Sequence, residues 1–175
     1  MSMKLQGNVT VEASREEVWN RVFDTDVLQR VLNRIPGIKV ERLVQIAEDK
    51  YEATATIGVA MVKGKYDGVI NVLEKRAPEY VKFHGEGKGG GNFTGGDMAL
   101  TLADQEGKTL VTYEGFGNVN GPLASVGQRM IDMVGKQFIQ NGAKSLAEEF
   151  SKPSPQPVAS SQPASPSQSV PPPPA

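Results

Sequence analysis

A glycine-rich run separates two strand-like segments in the middle of this chain, and one long amphipathic helix pattern closes the part that can fold. The run covers residues 86–97 and includes Gly87, Gly89–Gly91 and Gly95–Gly96. Strands on both sides of a glycine turn favour an antiparallel sheet, and the helix that follows must cover that sheet. Because a curved sheet does not close flat against a single helix, this order predicts an apolar space between them, suited to a small hydrophobic molecule.

The length and composition predict one domain followed by a tail. The chain has 175 residues, enough for one ordinary core. From Ser151 to Ala175 it is rich in Pro, Ser and Gln, and Lys152 is the only charged residue there. Such a segment buries too little apolar surface to fold and favours extended polyproline II. We therefore predict a domain over residues 1–150 and a disordered tail over 151–175, which serves as a spacer, a docking peptide or a linker toward a membrane.

Charge and cysteine content exclude several classes of function. The 19 basic and 20 acidic residues are scattered and give a formal charge of −1, so no broad basic surface for nucleic acid is expected. The absence of cysteine removes disulfides, thiolate metal sites and thiol nucleophiles. The first residues lack the apolar run of a signal peptide, and no segment approaches the ~18 apolar residues of a membrane span. A cytoplasmic location is the simplest expectation.

Apolar residues recur with a period of two in seven segments, which predicts seven strands with one buried face each. In the segment 51–59, for example, Tyr51, Ala53 and Ala55 alternate with polar residues. An antiparallel sheet with one solvated side shows this pattern. The predicted strands are 4–11, 38–47, 51–59, 64–72, 79–86, 97–103 and 109–119.

Three helices complete the predicted α+β architecture. Ser14 followed by Glu17 forms a capping-box pattern ahead of a first short helix, and Asp24 can cap a second one. Apolar residues from Leu123 to Phe150 recur at i, i+3, i+4 and i+7, which predicts one long carboxy-terminal helix. The sheet of about seven strands should curve around that helix.

Most candidate catalytic sites are excluded, because the residue types that they require are missing or lie in the wrong positions. His84 is the only histidine, and alternation places it on the polar face of its strand with Lys82 and Glu86. It lacks the partners of a zinc site or a catalytic triad. Lys88 is followed by Gly89 where a phosphate-binding loop requires Ser or Thr, so the glycine run is interpreted as a flexible hairpin. We predict no catalytic residue and no metal ligand.

The predicted ligand site is the inner face of the sheet together with the facing side of the long helix. Gly115 and Gly117 leave a groove on this face, unless the strand bends or the helix packs closely there. Tyr66 and Tyr113 offer hydroxyl groups in an otherwise apolar interior. The predicted lining consists of Val59, Met61, Tyr66, Ile70, Phe83, Met98, Leu100, Tyr113, Gly115, Gly117, Met130, Val134 and Phe138.

Several short motifs, in this order and spacing, resemble the G-subunit family of carbon monoxide dehydrogenase over nearly all of residues 3–150. They are Met3-Lys4-Leu5-Gln6-Gly7, Glu16-Glu17-Val18-Trp19, Ile35-Pro36-Gly37, Tyr51-Glu52-Ala53-Thr54, Val62-Lys63-Gly64-Lys65-Tyr66, Gly85-Glu86-Gly87-Lys88-Gly89 and Leu146. The chain departs from the family at Val31-Leu32-Asn33-Arg34, where members commonly have a shorter loop and a cysteine.

The resemblance implies the helix-grip fold of START-like proteins and a non-catalytic accessory role. The implied partner is a molybdenum-containing hydroxylase of the carbon monoxide dehydrogenase type, which such a protein helps to link to the membrane. The implied ligand is a quinone of the menaquinone type or another lipid, and no cofactor is bound covalently. A place in the cytoplasm or at the inner face of the membrane follows from this role.

Two other functions are compatible with the same pattern. A cyclase-like enzyme would fold a reactive chain in the cavity and would need a tyrosine or an acid for proton transfer. An interaction module would have a filled core and would act through its surface and its proline-rich tail. The volume and polarity of the interior distinguish these alternatives from the carrier.

Overall fold

The computed structural model of the protein describes residues 2–59 and 62–151, so Met61 and residues 152–175 of the predicted tail lie outside the described residues. In chain order the elements are β1 (Ser2–Val11), α1 (Arg15–Arg21), α2 (Thr25–Asn33), β2 (Ile38–Ala47), β3 (Lys50–Val59), β4 (Val62–Arg76), β5 (Tyr80–Gly89), β6 (Asn92–Gln105), β7 (Lys108–Asn120), a 3₁₀ helix (Pro122–Val126) and α3 (Gln128–Ser151).

The seven strands form one antiparallel sheet in the order β1-β7-β6-β5-β4-β3-β2. Strands β2 to β7 therefore follow one another as a meander, and β1 pairs with the last strand. The sheet with its carboxy-terminal helix confirms the predicted α+β fold class, and each predicted strand lies within or overlaps an observed one.

The register confirms the predicted inner face of the sheet. Leu100 of β6 lies opposite Tyr113 of β7, which lies opposite Gly7 of β1, so these three residues share one face. Along β1, half-buried and exposed residues alternate, as expected for a strand with one solvated side. The concave face of the sheet is therefore the apolar face.

Capping side chains begin the two short helices where the sequence predicts them. Ser14 Oγ accepts a hydrogen bond from the amide of Glu17 at 3.2 Å, ahead of α1. Asp24 Oδ1 accepts from the amides of Asp26 at 2.8 Å and Val27 at 3.3 Å, ahead of α2. These bonds satisfy amide groups that have no partner inside a helix.

The glycine run is more regular than the predicted flexible hairpin. Strand β5 continues to Gly89 and β6 begins at Asn92, so the turn consists only of Gly90 and Gly91. Both have positive φ, at +57° and +80°, a conformation that glycine adopts without steric cost. The glycines thus extend the sheet.

The carboxy-terminal helix begins later than predicted. Residues 122–126 form a separate 3₁₀ helix, and α3 begins at Gln128. Gly121 and Gly127 flank the 3₁₀ helix with φ of +104° and +99°. These backbone conformations interrupt a continuous α-helix, and the apolar spacing of Leu123 and Val126 did not reveal the break.

The buried core divides into two clusters rather than one. The first joins β1, α1, β6, β7 and the end of α3, and its buried members are Val11, Ala13, Val18, Leu102, Val111 and Phe150. The second joins α2, β2 and β3 around Ile35, Ile38, Val40, Leu43 and Tyr51. The middle of the concave face lies between these two clusters.

Candidate functional site

Helix α3 is held at both sides of the concave face. At Gly135 it presses against Met3 of β1, since a Cβ at Gly135 would collide with the Met3 sulfur. At Ser145 it is tied to α2, because the Ser145 hydroxyl donates to the carbonyl of Val31 at 2.5 Å. Within the described residues, α3 approaches β1 and α2 closely but rarely comes near the central strands. The helix therefore crosses over the concave face without packing closely against the central strands.

Phe138 shows that the space under the middle of α3 is open. Ile131, Phe138 and Ser145 follow one another at intervals of seven residues and lie on one side of the helix. Ile131 is 4% exposed and Ser145 is 2% exposed, whereas Phe138 between them is 38% exposed. An apolar ring on the inner stripe of a helix that keeps this much accessible surface faces unfilled space.

Three glycines lie side by side on the opposite wall of this space. Gly85, Gly96 and Gly117 are cross-strand neighbours on the inner side of β5, β6 and β7. A Cβ placed on Gly85 would meet no heavy atom within 4 Å. The surface above Gly85 is therefore open, next to the half-buried Ile70 opposite it on β4.

Gly115 has a different role from the groove predicted for it. A Cβ at Gly115 would collide with the carbonyl oxygen of Asp97 and would lie 2.9 Å from the Cα of Met98. Gly115 thus permits a close approach of β7 to β6, in agreement with the alternative that the strand bends here. At Gly117 a Cβ would make ordinary contacts with the Gly95 carbonyl oxygen at 3.6 Å and the Met3 methyl group at 3.7 Å.

The inner tyrosines differ in whether their hydroxyl groups already have a partner. Tyr51 donates to the carbonyl of Phe23 at 3.2 Å, and burial followed by the charge of Asp49 raises the pKa of its phenol. Tyr66 accepts from the Asn92 side chain at 3.2 Å. Tyr113 is 8% exposed, and its hydroxyl has no hydrogen-bond partner among the described residues. Of the three, this hydroxyl is the one that can both donate to and accept from a ligand.

The other predicted lining residues spread over the concave face. Register places Phe83, Met98 and Gly115 side by side across three strands. Val59 ends β3, and nothing is described of its side chain, while Met61 is outside the described residues. The half-buried members of the predicted lining are Ile70, Phe83, Met98, Leu100, Gly117, Met130 and Val134.

His84 lies on the convex face, as its position in the alternation predicts. Its Nδ1 is 2.6 Å from Asp97 Oδ1, and its Nε2 is 3.1 Å from Glu86 Oε2. The hydrogen bond to Asp97, followed by that to Glu86, raises the pKa of the imidazole. The histidine is therefore held between two carboxylates, away from the concave space.

Sequence reasoning missed a charged cluster where α3 ends. The Glu149 side chain is 4% exposed and pairs with Arg34 at 2.7 Å, Arg30 at 2.8 Å and Arg21 at 3.2 Å. Burial opposes ionisation of Glu149 most strongly, but the hydrogen bonds and charges of Arg30 and Arg34 together hold its pKa below the usual value. The sequence feature that could have revealed this cluster is Glu149 itself, because it lies four residues after Ser145 on the inner stripe of α3, where a carboxylate needs a partner.

The described residues hold neither a metal-binding cluster nor a membrane-spanning helix. No three His, Asp or Glu side chains within residues 2–59 and 62–151 cluster closely enough to hold a metal ion. None of the helices in this same part of the chain combines the length and the apolar character needed to cross a membrane.

The architecture and the concave space define the class of protein. A seven-stranded antiparallel sheet, two short helices and a carboxy-terminal helix over an apolar face form the helix-grip fold of START-like proteins. The family model that describes the G subunit of carbon monoxide dehydrogenase (CoxG) matches residues 7–151. The chain belongs to this family, which confirms the resemblance seen in the sequence.

Solved structures agree with this assignment. A conserved protein from Geobacillus kaustophilus is 32% identical, with 86% of this chain and 95% of that chain covered and a TM-score of 0.75. A protein from Chromobacterium violaceum is 14% identical over 85% and 98% of the two chains, with a TM-score of 0.64. A START superfamily protein from Mycobacterium smegmatis is 15% identical over 84% and 96%, with a TM-score of 0.60. The last two show the fold alone.

A comparison with curated proteins gave no match.

Proposed function

We propose that this protein binds a hydrophobic small molecule, a quinone or another lipid, in the concave space between the sheet and α3. The single observation that carries the proposal is the exposure of Phe138 on the inner stripe of the helix, between the buried Ile131 and Ser145. The bare wall at Gly85 is the second side of the same space. A ligand lying there removes apolar surface from water, at roughly 25 cal/mol per Å² before ordering costs.

The Tyr113 hydroxyl orients the ligand. It has no partner among the described residues and lies on an apolar face, next to Leu100 across the strand. A carbonyl oxygen, such as that of a quinone ring, accepts this hydrogen bond, while an isoprenoid chain covers Gly85 and Phe138. A few placed polar groups in an otherwise apolar lining are typical of small-molecule sites.

The same lining favours a carrier over a cyclase-like enzyme. On the described inner faces of β5, β6 and β7, from Val81 to Gly87, Thr94 to Leu102 and Val111 to Val119, the phenol of Tyr113 is the one ionisable group. General acid–base catalysis draws most often on His, Glu, Asp or Lys side chains, and these described inner faces contain none of them. The site therefore supports binding better than proton transfer.

Filling the space tests the proposal. Gly85→Leu places a side chain where a Cβ meets no neighbour, so we expect an unchanged melting temperature and at least about tenfold weaker binding of menaquinone-4, about 1.4 kcal/mol. Binding is measured by native mass spectrometry. Gly58→Leu is the matched control, because Gly58 is exposed, alternates with the inward Ile57 and also has open space around it. Equal affinity of the Gly85→Leu variant and the native chain would refute the site.

Removing the hydroxyl tests the orientation. Tyr113→Phe should weaken menaquinone-4 binding about three- to tenfold, since one hydrogen bond contributes about 0.5–1.5 kcal/mol. Binding of squalene, an isoprenoid hydrocarbon without a carbonyl, should not change. Equal losses for both molecules would show that Tyr113 acts only by packing.

The proposed accessory role is based on the family to which the chain belongs. We propose that the loaded protein links a molybdenum-containing oxidoreductase of the carbon monoxide dehydrogenase type to the membrane. The test is fractionation of the source cells with and without this protein. We expect the oxidoreductase in the membrane fraction to fall when the protein is deleted and to recover with the native chain but not with Gly85→Leu. An unchanged distribution after deletion would exclude the role.

A further inference from the structure

The convex face of the sheet carries a second depression, on the opposite side from the concave space. This outer groove has a volume of about 400 Å³ and runs across β5, β6 and β7. Its chemistry is mixed, with two aromatic rings, two carboxylates joined by an imidazole, and carboxamides. Its lining includes His84, Glu86, Phe93, Asp97, Phe116 and Asn118.

The outer groove exists because one outward position has no side chain. Gly95 of β6 lies opposite Glu86 of β5 and opposite Asn118 of β7. A Cβ at Gly95 would lie 3.7 Å from both the Glu86 stem and the Phe93 ring. These side chains therefore form walls around a glycine floor.

The two phenylalanines leave large apolar surfaces in water. Phe116 is 61% exposed and Phe93 is 37% exposed, and they lie on either side of the Gly95 floor. The Lys88 ammonium already lies 5.7 Å from the centre of the Phe93 ring, while no cation lies over Phe116 in the described part of the chain. The face of an aromatic ring attracts a cation, most strongly a planar one that can stack.

The charged side chains that line the outer groove are those of His84, Glu86 and Asp97, while Lys88 lies beside Phe93 and Lys4 lies across from Phe116 at its edges. His84 bridges Asp97 at 2.6 Å and Glu86 at 3.1 Å. With the imidazole protonated, the three groups sum to −1, and with it neutral they sum to −2. Asn118 makes no side-chain hydrogen bond to the described residues, so its amide oxygen is also available as an acceptor.

We propose that the outer groove binds an arginine side chain from a protein partner. A guanidinium group stacks on Phe116 and donates paired hydrogen bonds to a carboxylate and to the Asn118 oxygen, which a lysine ammonium cannot do in one plane. A phosphate or nucleic acid would meet the repulsion of Asp97 and Glu86. An apolar side chain would cover the carboxylate oxygens that His84 leaves free, Asp97 Oδ2 and Glu86 Oε1, without giving them a partner, at a cost in free energy.

The outer groove and the concave space lie back to back. Gly95 faces the convex side and the next residue, Gly96, faces the concave side, so only the β6 backbone separates the two sites. A partner can therefore dock while the interior is occupied. The arginine site does not rest on the proposed function, because it uses none of the concave lining.

Small probes test the arginine site directly on the full chain. We expect N-acetyl-arginine amide at about 10 mM, a concentration suited to a weak single-residue probe, to shift the NMR amide signals of residues 84–86, 93–97 and 116–118. N-acetyl-lysine amide should bind at least threefold more weakly, and the neutral isostere N-acetyl-citrulline amide should leave the signals unchanged. Asp97→Asn should weaken arginine binding at least fivefold.

Glu114→Gln is the matched control, since Glu114 is an exposed carboxylate on the same face of β7 but outside the outer groove. It should keep native affinity for the arginine probe. No arginine shifts, equal binding of citrulline, or equal losses in Asp97→Asn and Glu114→Gln would each overturn the proposal. Gly85→Leu should bind the arginine probe normally, so failure of the interior site and failure of the outer groove are distinguishable.

Discussion

The ring of Tyr113 lies across Gly7 of the neighbouring strand. A Cβ on Gly7 would overlap the Tyr113 hydroxyl oxygen and would lie 2.6 Å from Cζ, closer than real Cβ contacts come. The glycine thus gives the tyrosine its place on the inner face of the sheet. Gly7 of β1 therefore determines the position of the Tyr113 hydroxyl group of β7.

Gly7→Ala should therefore displace Tyr113. We expect a loss of about 1–3 kcal/mol in the free energy of unfolding, as is typical of overpacking, and weaker menaquinone-4 binding. The urea midpoint and native mass spectrometry measure the two effects. Gly85→Ala is the control and should change stability by less than about 0.5 kcal/mol, because its new methyl group meets open space. Equal behaviour of the two variants would contradict the contact.

Glu149 joins the end of α3 to both short helices, so its removal should destabilise the fold. Glu149→Gln leaves Arg21, Arg30 and Arg34 without their shared carboxylate, and we expect a loss of roughly 2–3 kcal/mol in urea unfolding at pH 7. Glu17→Gln is the control. Its pair with Arg21 spans 3.9 Å at an exposed site, and it should contribute less than about 0.5 kcal/mol.

The Glu149 effect should also depend on pH. Its folded-state pKa is held below the usual value of 4.5, so the stabilisation is present above pH 4.5 and disappears as the pH falls through the lowered pKa. The difference in unfolding free energy between the native chain and Glu149→Gln should accordingly shrink on acidification. A difference that stays constant down to pH 3 would contradict the ion cluster.

Asn92 connects the glycine hairpin to two other elements. Its side chain donates to Tyr66 Oη at 3.2 Å and accepts from the amide of Leu123 at 2.7 Å. Asn92→Ala should cost about 1–3 kcal/mol and speed hydrogen exchange over residues 122–126. Tyr66→Phe removes only the first bond and should leave that exchange slow. Fast exchange in both variants would show that the hydrogen bond between Asn92 and Leu123 does not by itself protect residues 122–126.

His84 should titrate above its ordinary range. Hydrogen bonds to Asp97 and Glu86 raise its folded pKa above 6.5, so its contribution to stability is present below pH 6.5 and is lost as the pH rises through the raised value. NMR titration of the ring proton measures this directly. Asp97→Asn should lower the pKa, and Glu114→Gln should change it much less. A native value at or below 6.5 would show that the two contacts do not form in solution.

The strands were predictable because their signal is local. Alternating apolar residues identified all seven, and the same alternation placed His84 outside and Phe83 inside. The caps at Ser14 and Asp24 were equally readable, since a cap needs only its own side chain and amides two or three residues later.

Other features depend on partners distant in the sequence. The break between the 3₁₀ helix and α3 follows from positive φ at Gly121 and Gly127, which apolar spacing does not report. The Glu149 cluster joins residues 115 to 128 positions apart. The use of Gly115 for a close strand approach likewise depends on the backbone of β6.

The strands, their inner faces, the caps and the family likeness could be predicted, because they depend on short segments and their spacing. The exposure of Phe138, and the difference between the partnered Tyr66 hydroxyl and the unpartnered Tyr113 hydroxyl, follow from packing between distant elements. The distance between α3 and the sheet produces that space, and contacts such as Ser145 to Val31, 114 residues apart, set that distance. Local sequence patterns do not report such a gap, because its width depends on side-chain packing at both ends of α3.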